Sequence, residues 1–111
     1  MKGDHVGEFE ELVLLAVRGL GDDAYGASVQ EMLELETTRS VSLGAVYAAL
    51  DRLERKGLLR SAVAQGTAVR GGRSRRVFLL TAQGVRTIGA LRRIRLRLYD
   101  GLEAKRARSH S

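Results

Sequence analysis

Along "GEFEELVLLAVRGLG" apolar residues recur at Phe9, Leu12, Val13, Ala16, Val17 and Leu20, the three-and-four spacing that lays one buried stripe along an α-helix. Gly21 supplies a stop. After the acidic turn "DDAYG", the segment "ASVQEMLELET" aligns Val29, Met32 and Leu33 with glutamates opposite, which predicts a second, shorter helix. "RSVSLGAVYAALDRLERKGLL" predicts a third, from about residue 43 to 56. There Ser42 is placed to cap the first free amides, and Leu43, Val46, Leu50 and Leu53 share one side. Lys56 complements the helix dipole in the last turn, and Gly57 is a natural left-handed stop. The opposite face shows Gly44, Ala45, Ala48, Ala49, Arg52 and Arg55, small at its start and basic toward its end.

From Leu58 the period shortens. "LLRSAVAQ" and "RRVFLLT" read as two strands, and the glycine-bearing segment between them makes the pair a β-hairpin whose tip falls at either Gly66 or the pair Gly71 and Gly72. Thr81 then caps a long final helix in which Val85, Ile88, Leu91, Ile94, Leu98 and Leu102 recur every three or four residues. Arg86, Arg92, Arg93, Arg95 and Arg97 fill much of the remainder. A domain this small cannot bury so long a stripe, so the stripe is expected to pair with a second copy of the chain. The predicted architecture is mainly α with a small β-hairpin: residues 1–81 as a head, 82–108 as a dimerisation helix, and 109–111 as a tail.

Composition narrows the chemistry. The 111 residues are 44% hydrophobic, enough for one helix-rich core. Cysteine and tryptophan are absent, which removes disulfides, thiolate metal sites and cysteine nucleophiles. No apolar signal region opens the sequence and the run Leu12 to Val17 is too short to span a bilayer, so a cytoplasmic protein is expected. The net charge of +6 is unevenly spread, with residues 1–38 at −7 and residues 39–111 at +13. Such segregation points to a polyanion as partner of the second part, nucleic acid before anionic membrane.

An enzyme is not expected. His5 and His110 lie near opposite ends and belong to no spaced ligand group, and "VRGGRSRRVFLLT" lacks the lysine-bearing spacing of a phosphate-binding loop. No cofactor or metal is called for. Element order is more telling: two helices, a turn, a third helix with a small and basic outer face, then a basic hairpin make a helix-turn-helix with a wing. The third helix suits a major groove, its small first residues allowing close approach to base edges, and the wing arginines suit phosphates or an adjacent minor groove.

Three stretches carry a resemblance. "YGASVQEMLE" resembles the tyrosine-glycine opening of the second helix in PadR-like transcriptional regulators, and "VSLGAVYAALDRLERKGLL" followed by "GGRSRRVFLLTAQGVRTI" resembles that family's recognition helix, wing and closing strand. The similarity covers roughly residues 9 to 90. It implies a winged-helix fold, a homodimer made through the C-terminal helix, and repression at a palindromic operator in double-stranded DNA. It also implies relief by a small hydrophobic or aromatic effector near the dimer interface. Because the chain ends after one such helix, it resembles the short subgroup.

Carried over by residue, Ser42, Gly44 and Ala45 match the start of the recognition helix, with Ala48 on the same face. Ala45 stands where many members have threonine or another small polar residue. Tyr47 matches a tyrosine expected on the DNA backbone, with packing at the helix junction as its other role. Arg52 is open to a phosphate or to Glu8, Glu10 or Glu11 of the first helix, while Arg73, Arg75 and Arg76 correspond to the basic wing. Tyr25 and Gly26 are expected to fix the start of the second helix, and Phe78 and Leu80 to be core. No residue set identifies an effector. The alternatives are an RNA-binding protein using the same surface, or a winged-helix module docking an acidic protein or a membrane.

Overall fold

Helix α1 (Glu8–Leu20) lies at the centre of the fold because it is apolar on more than one side. The computed structural model describes residues 5–64 and 75–109, the side chains of residues 102–104, 106, 107 and 109 excepted. On α1 the expected stripe is present, with Val13, Ala16 and Val17 buried and Phe9, Leu12 and Leu20 partly so. Leu14 is just as buried, and α1 packs against α2, α3, β2 and α4. Helix α2 (Gly26–Thr37) follows a short 3-10 turn (Gly21–Asp23) and turns Val29 and Leu33 inward, as expected.

Helix α3 (Leu43–Arg55) begins where its cap sits: Ser42 Oγ accepts the Ala45 N–H at 3.0 Å. Its buried stripe is Val46, Ala49, Leu50 and Leu53, which corrects the sequence reading twice. Ala49 belongs to the core and not to the outer face, since it stands at the i+3 position of that stripe. Leu43, one turn earlier, projects beyond the core and is 39% exposed. Gly57 ends the helical run with φ +79°, a backbone setting that favours glycine.

Strands β1 (Leu59–Ala64) and β2 (Arg75–Leu80) pair antiparallel in a register running from Leu59 opposite Leu80 to Ala64 opposite Arg75. The expected tip, Gly66 or Gly71 and Gly72, lies outside the described residues, as does Arg73. On its other edge β2 bridges the segment before α2: Tyr25 faces Val77, and the Phe78 N–H donates to the Ala24 carbonyl at 2.8 Å. Two residues between a turn and a helix show no strand period, so this rung was illegible in the sequence.

Thr81 closes the head and starts α4 (Ala82–Ser109), accepting the Gly84 N–H at 3.0 Å and donating to the Gly57 carbonyl at 2.6 Å. At Gly84 the helix presses on the Leu58 carbonyl so closely that a Cβ would collide with it. Ile88, expected on the free stripe, is instead buried in the head's core. The 28 residues of α4 run for about 42 Å.

One buried charge locks α1 to α3. Glu10 accepts Arg52 Nε at 2.6 Å, Lys56 Nζ at 2.7 Å and the Gly7 N–H at 3.3 Å. Burial alone would raise its pKa, but the hydrogen bonds from Lys56 and Arg52 outweigh that and hold it at about 2, against an ordinary 4.5. A depressed carboxylate pKa stabilises the fold fully above pH 4.5, and that share is lost as pH falls toward 2. Glu10→Gln is therefore expected to cost about 2 kcal/mol at neutral pH, a discounted figure because Arg52 is partly solvated. Thermal melts of parent and variant should converge as pH drops from 5 to about 2; a constant gap would rule the charge out as the cause.

Candidate nucleic-acid interface

The outer face of α3 opens with Ser42, Gly44, Ala45, Tyr47 and Ala48, all exposed. The turn that delivers this face is held from α2, where Gln30 Nε2 donates to the Val41 carbonyl at 2.7 Å and Glu34 Oε2 accepts the Val41 N–H at 3.0 Å. Thr38 takes the left-handed setting, φ +55°, that reverses the chain. Three small residues and a hydroxyl at a rigidly held helix start leave room for a base edge or a phosphate.

Tyr47 stands at the junction of α2 and α3. Its ring occupies the space a Cβ at Gly26 would need, so Gly26 is there to admit it, and the tyrosine remains 38% exposed. Both roles considered for Tyr47 are thus compatible: one face of the ring packs, and the remaining surface is open. The pairing explains why tyrosine-glycine opens α2, with Tyr25 bridging to the hairpin and Gly26 receiving Tyr47 of α3.

The basic candidates divide sharply. Arg52, for which a phosphate and an α1 carboxylate were both open, is bound to Glu10. Side chains alternate along β2, so Arg75 and Arg76 leave by opposite faces. Arg75 stacks on the Tyr25 ring with its guanidinium carbon 4.1 Å from the centroid. Stacking occupies the plane's face and leaves the in-plane N–H donors for an anion. Arg76 reaches α3 instead, donating to Asp51 Oδ1 at 3.1 Å and to Glu54 Oε1 at 2.5 Å. Desolvation opposes its charge, but these two carboxylates more than offset that and push its pKa up. Glu54 is held below its usual range, first by the Ser61 hydroxyl and then by Arg76. Asp51 and Glu54 were absent from the sequence reading; two acids three residues apart on an otherwise basic helix end were the available signal.

On the far side, α4 keeps Val85, Ile94, Leu98, Leu96 and Tyr99 exposed, and Leu91 half-buried; Leu102 lies among the undescribed side chains. Arg95 grips Glu11 with a two-pronged hydrogen bond, Nε to Oε2 at 2.7 Å and Nη2 to Oε1, which fastens α4 along α1. Between these helices runs an open groove of about 500 Å³, lined by Leu15, Val85, Ile88, Leu91 and Leu96 with Arg18, Arg92 and the Glu11–Arg95 pair at its edges. No helix among the described residues is long and apolar enough to cross a membrane.

Helix-turn-helix, bridged hairpin and long closing helix together match a known group. The family model for PadR-like transcriptional regulators matches residues 14–90, which spans α1 from Leu14, the rest of the winged head and the start of α4. The chain belongs to the PadR-like transcriptional regulator family. A PadR-like transcription factor from Bacteroides fragilis superposes with a TM-score of 0.69 at 25% identity, covering 86% of this chain and 87% of that one. A PadR family regulator from Eggerthella lenta gives 0.64 at 25% identity over 87% and 84% of the two chains. One from Clostridium difficile shares the fold, with a TM-score of 0.67 at 22% identity over 89% and 97%. No curated protein matches the sequence. As a PadR-like regulator the chain is a DNA-binding protein of transcription control, in a family of regulators and not of enzymes.

Proposed function

We propose that two copies of this chain bind a palindromic operator in duplex DNA and repress transcription there, with a small hydrophobic effector relieving repression. The reading is carried by one juxtaposition: the small-residue start of α3 is exposed and its Tyr47 packs at Gly26, next in the chain to Tyr25, on whose ring Arg75 of the hairpin stacks. Ser42, Gly44, Ala45 and Ala48 approach the base edges, and Tyr47, Arg75 and the wing residue Arg73 grip the backbone. Arg52 and Arg76, engaged by carboxylates, brace the elements that carry this surface.

Dimerisation through residues 82–108 is supported by the apolar side chains that α4 leaves uncovered: Val85, Ile94 and Leu98, joined by Leu96 and Tyr99. Effector binding is supported by the groove between α1 and α4, whose apolar walls and charged rim suit a small hydrophobic molecule. The test is selection of duplexes from a random pool, with light scattering of the free protein. Two inverted half-sites about 10 base pairs apart and a dimer are expected. A monomer that selects a single half-site would sink the dimeric reading.

Gly26→Ala separates the two duties of Tyr47. The added methyl must evict the ring, a half-exposed side chain that can rotate away, while alanine improves the helix. The melting midpoint should hardly change, with a net effect of less than about 1 kcal/mol. Affinity for the selected duplex should drop roughly fivefold, the equivalent of one lost backbone hydrogen bond. Unchanged affinity would confine Tyr47 to packing.

A further inference from the structure

One guanidinium forms a side-chain link between the wing and α3. Arg76 on β2 spans Asp51 and Glu54 on α3, and Ser61 on β1 donates to the second oxygen of Glu54 at 2.8 Å. Both strands therefore reach the same stretch of α3, because residues three apart share one side of a helix. The Arg76 guanidinium also lies 4.7 Å over the Phe78 ring, which roots the link in the core. On its other edge β2 is tied to the segment before α2, where Tyr25 bridges Val77 and the Phe78 N–H donates to the Ala24 carbonyl, and the brace adds a side-chain link to α3.

We propose that Asp51 and Glu54 are positioning residues for DNA binding, acting through Arg76 and Ser61 to set the angle between the wing and α3. This rests on the reading of α3 and the wing as the DNA-contacting surface. Two carboxylates beside a polyanion repel it, so charge alone predicts that their removal strengthens binding. A brace predicts the opposite sign. With the link cut, the angle between the wing and α3 must be fixed at the moment of binding, and that cost weakens the specific complex. The other carboxylate facing α3, Glu10, is committed to Arg52 and Lys56 and takes no part in this link.

The experiment compares the parent with D51N/E54Q and R76K on two probes, a duplex that the parent selects from a random pool and a random duplex of equal length, across a salt series. D51N/E54Q should bind the selected duplex about tenfold more weakly and with a smaller fall per decade of salt, while the random duplex is held no worse. R76K conserves charge but reaches one carboxylate at a time, so it should lose about threefold on the selected duplex. Equal or tighter binding of the selected duplex by D51N/E54Q would overturn the proposal. Thermal melts check the fold; if the double variant is unfolded, D51N alone carries the test, with a loss of about threefold expected and tighter binding overturning the idea. A parent that selects no duplex would instead refute the DNA-contact reading itself.

Discussion

Phe78→Ala should lower the melting midpoint by about 15 °C. The ring is fully buried at the centre of the core and is among its largest side chains. Replacing such a residue with alanine costs about 4 kcal/mol, the sum of lost transfer energy and the cavity left behind. For a chain of this length each kcal/mol moves the midpoint by about 4 °C. The backbone is held from closing the gap, since the Phe78 N–H is tied to the Ala24 carbonyl and β1 lies opposite. The same change removes the platform beneath Arg76, so binding of a selected duplex should weaken even at temperatures where the variant is folded. Calorimetry and a binding titration at 10 °C check both parts. A midpoint shift below about 5 °C would mean that the side chain's burial contributes far less than its position implies.

Removing Arg73 and Arg75 together should produce the largest loss of DNA affinity. If a dimer neutralises roughly 8 phosphates, log affinity falls with log salt at a slope of about −7. Deleting two wing arginines per protomer removes four of those contacts and should flatten the slope to about −4. Affinity near physiological salt should drop about 100-fold, and by a similar factor for selected and random duplexes, because phosphate contacts carry no sequence information. Arg75 is exposed and stacked on Tyr25, which pre-orders its guanidinium without closing it to an anion. Arg76 is left out of this variant because its guanidinium already pairs with Asp51 and Glu54. An unchanged slope, measured by fluorescence anisotropy from 50 to 300 mM salt, would remove the wing from the interface.

Changes at Ala45 should act differently, shifting which sequence is preferred more than the total affinity. Ala49, which had looked equally placed on the outer face, cannot do so, because it is wholly buried.

The sequence by itself determined what depends on neighbours along the chain. Helix periods, the caps at Ser42 and Thr81, the stop at Gly57 and the change of period after Leu58 all follow from local sterics and hydrogen bonds, and the helices, caps, stop and strands are found in place, with Leu43 and Ala49 exchanging sides on α3. The order of those elements, together with the basic second part, was enough to name a winged helix. Only the tertiary structure decided which charges are spoken for. Arg52, Arg76 and Arg95 are held by carboxylates 42, 22 to 25 and 84 residues away, and no period or composition records such meetings. An ion pair forms where the fold brings remote groups within reach, so a run of arginines shows that a surface is basic but not which of its members are left to meet a phosphate.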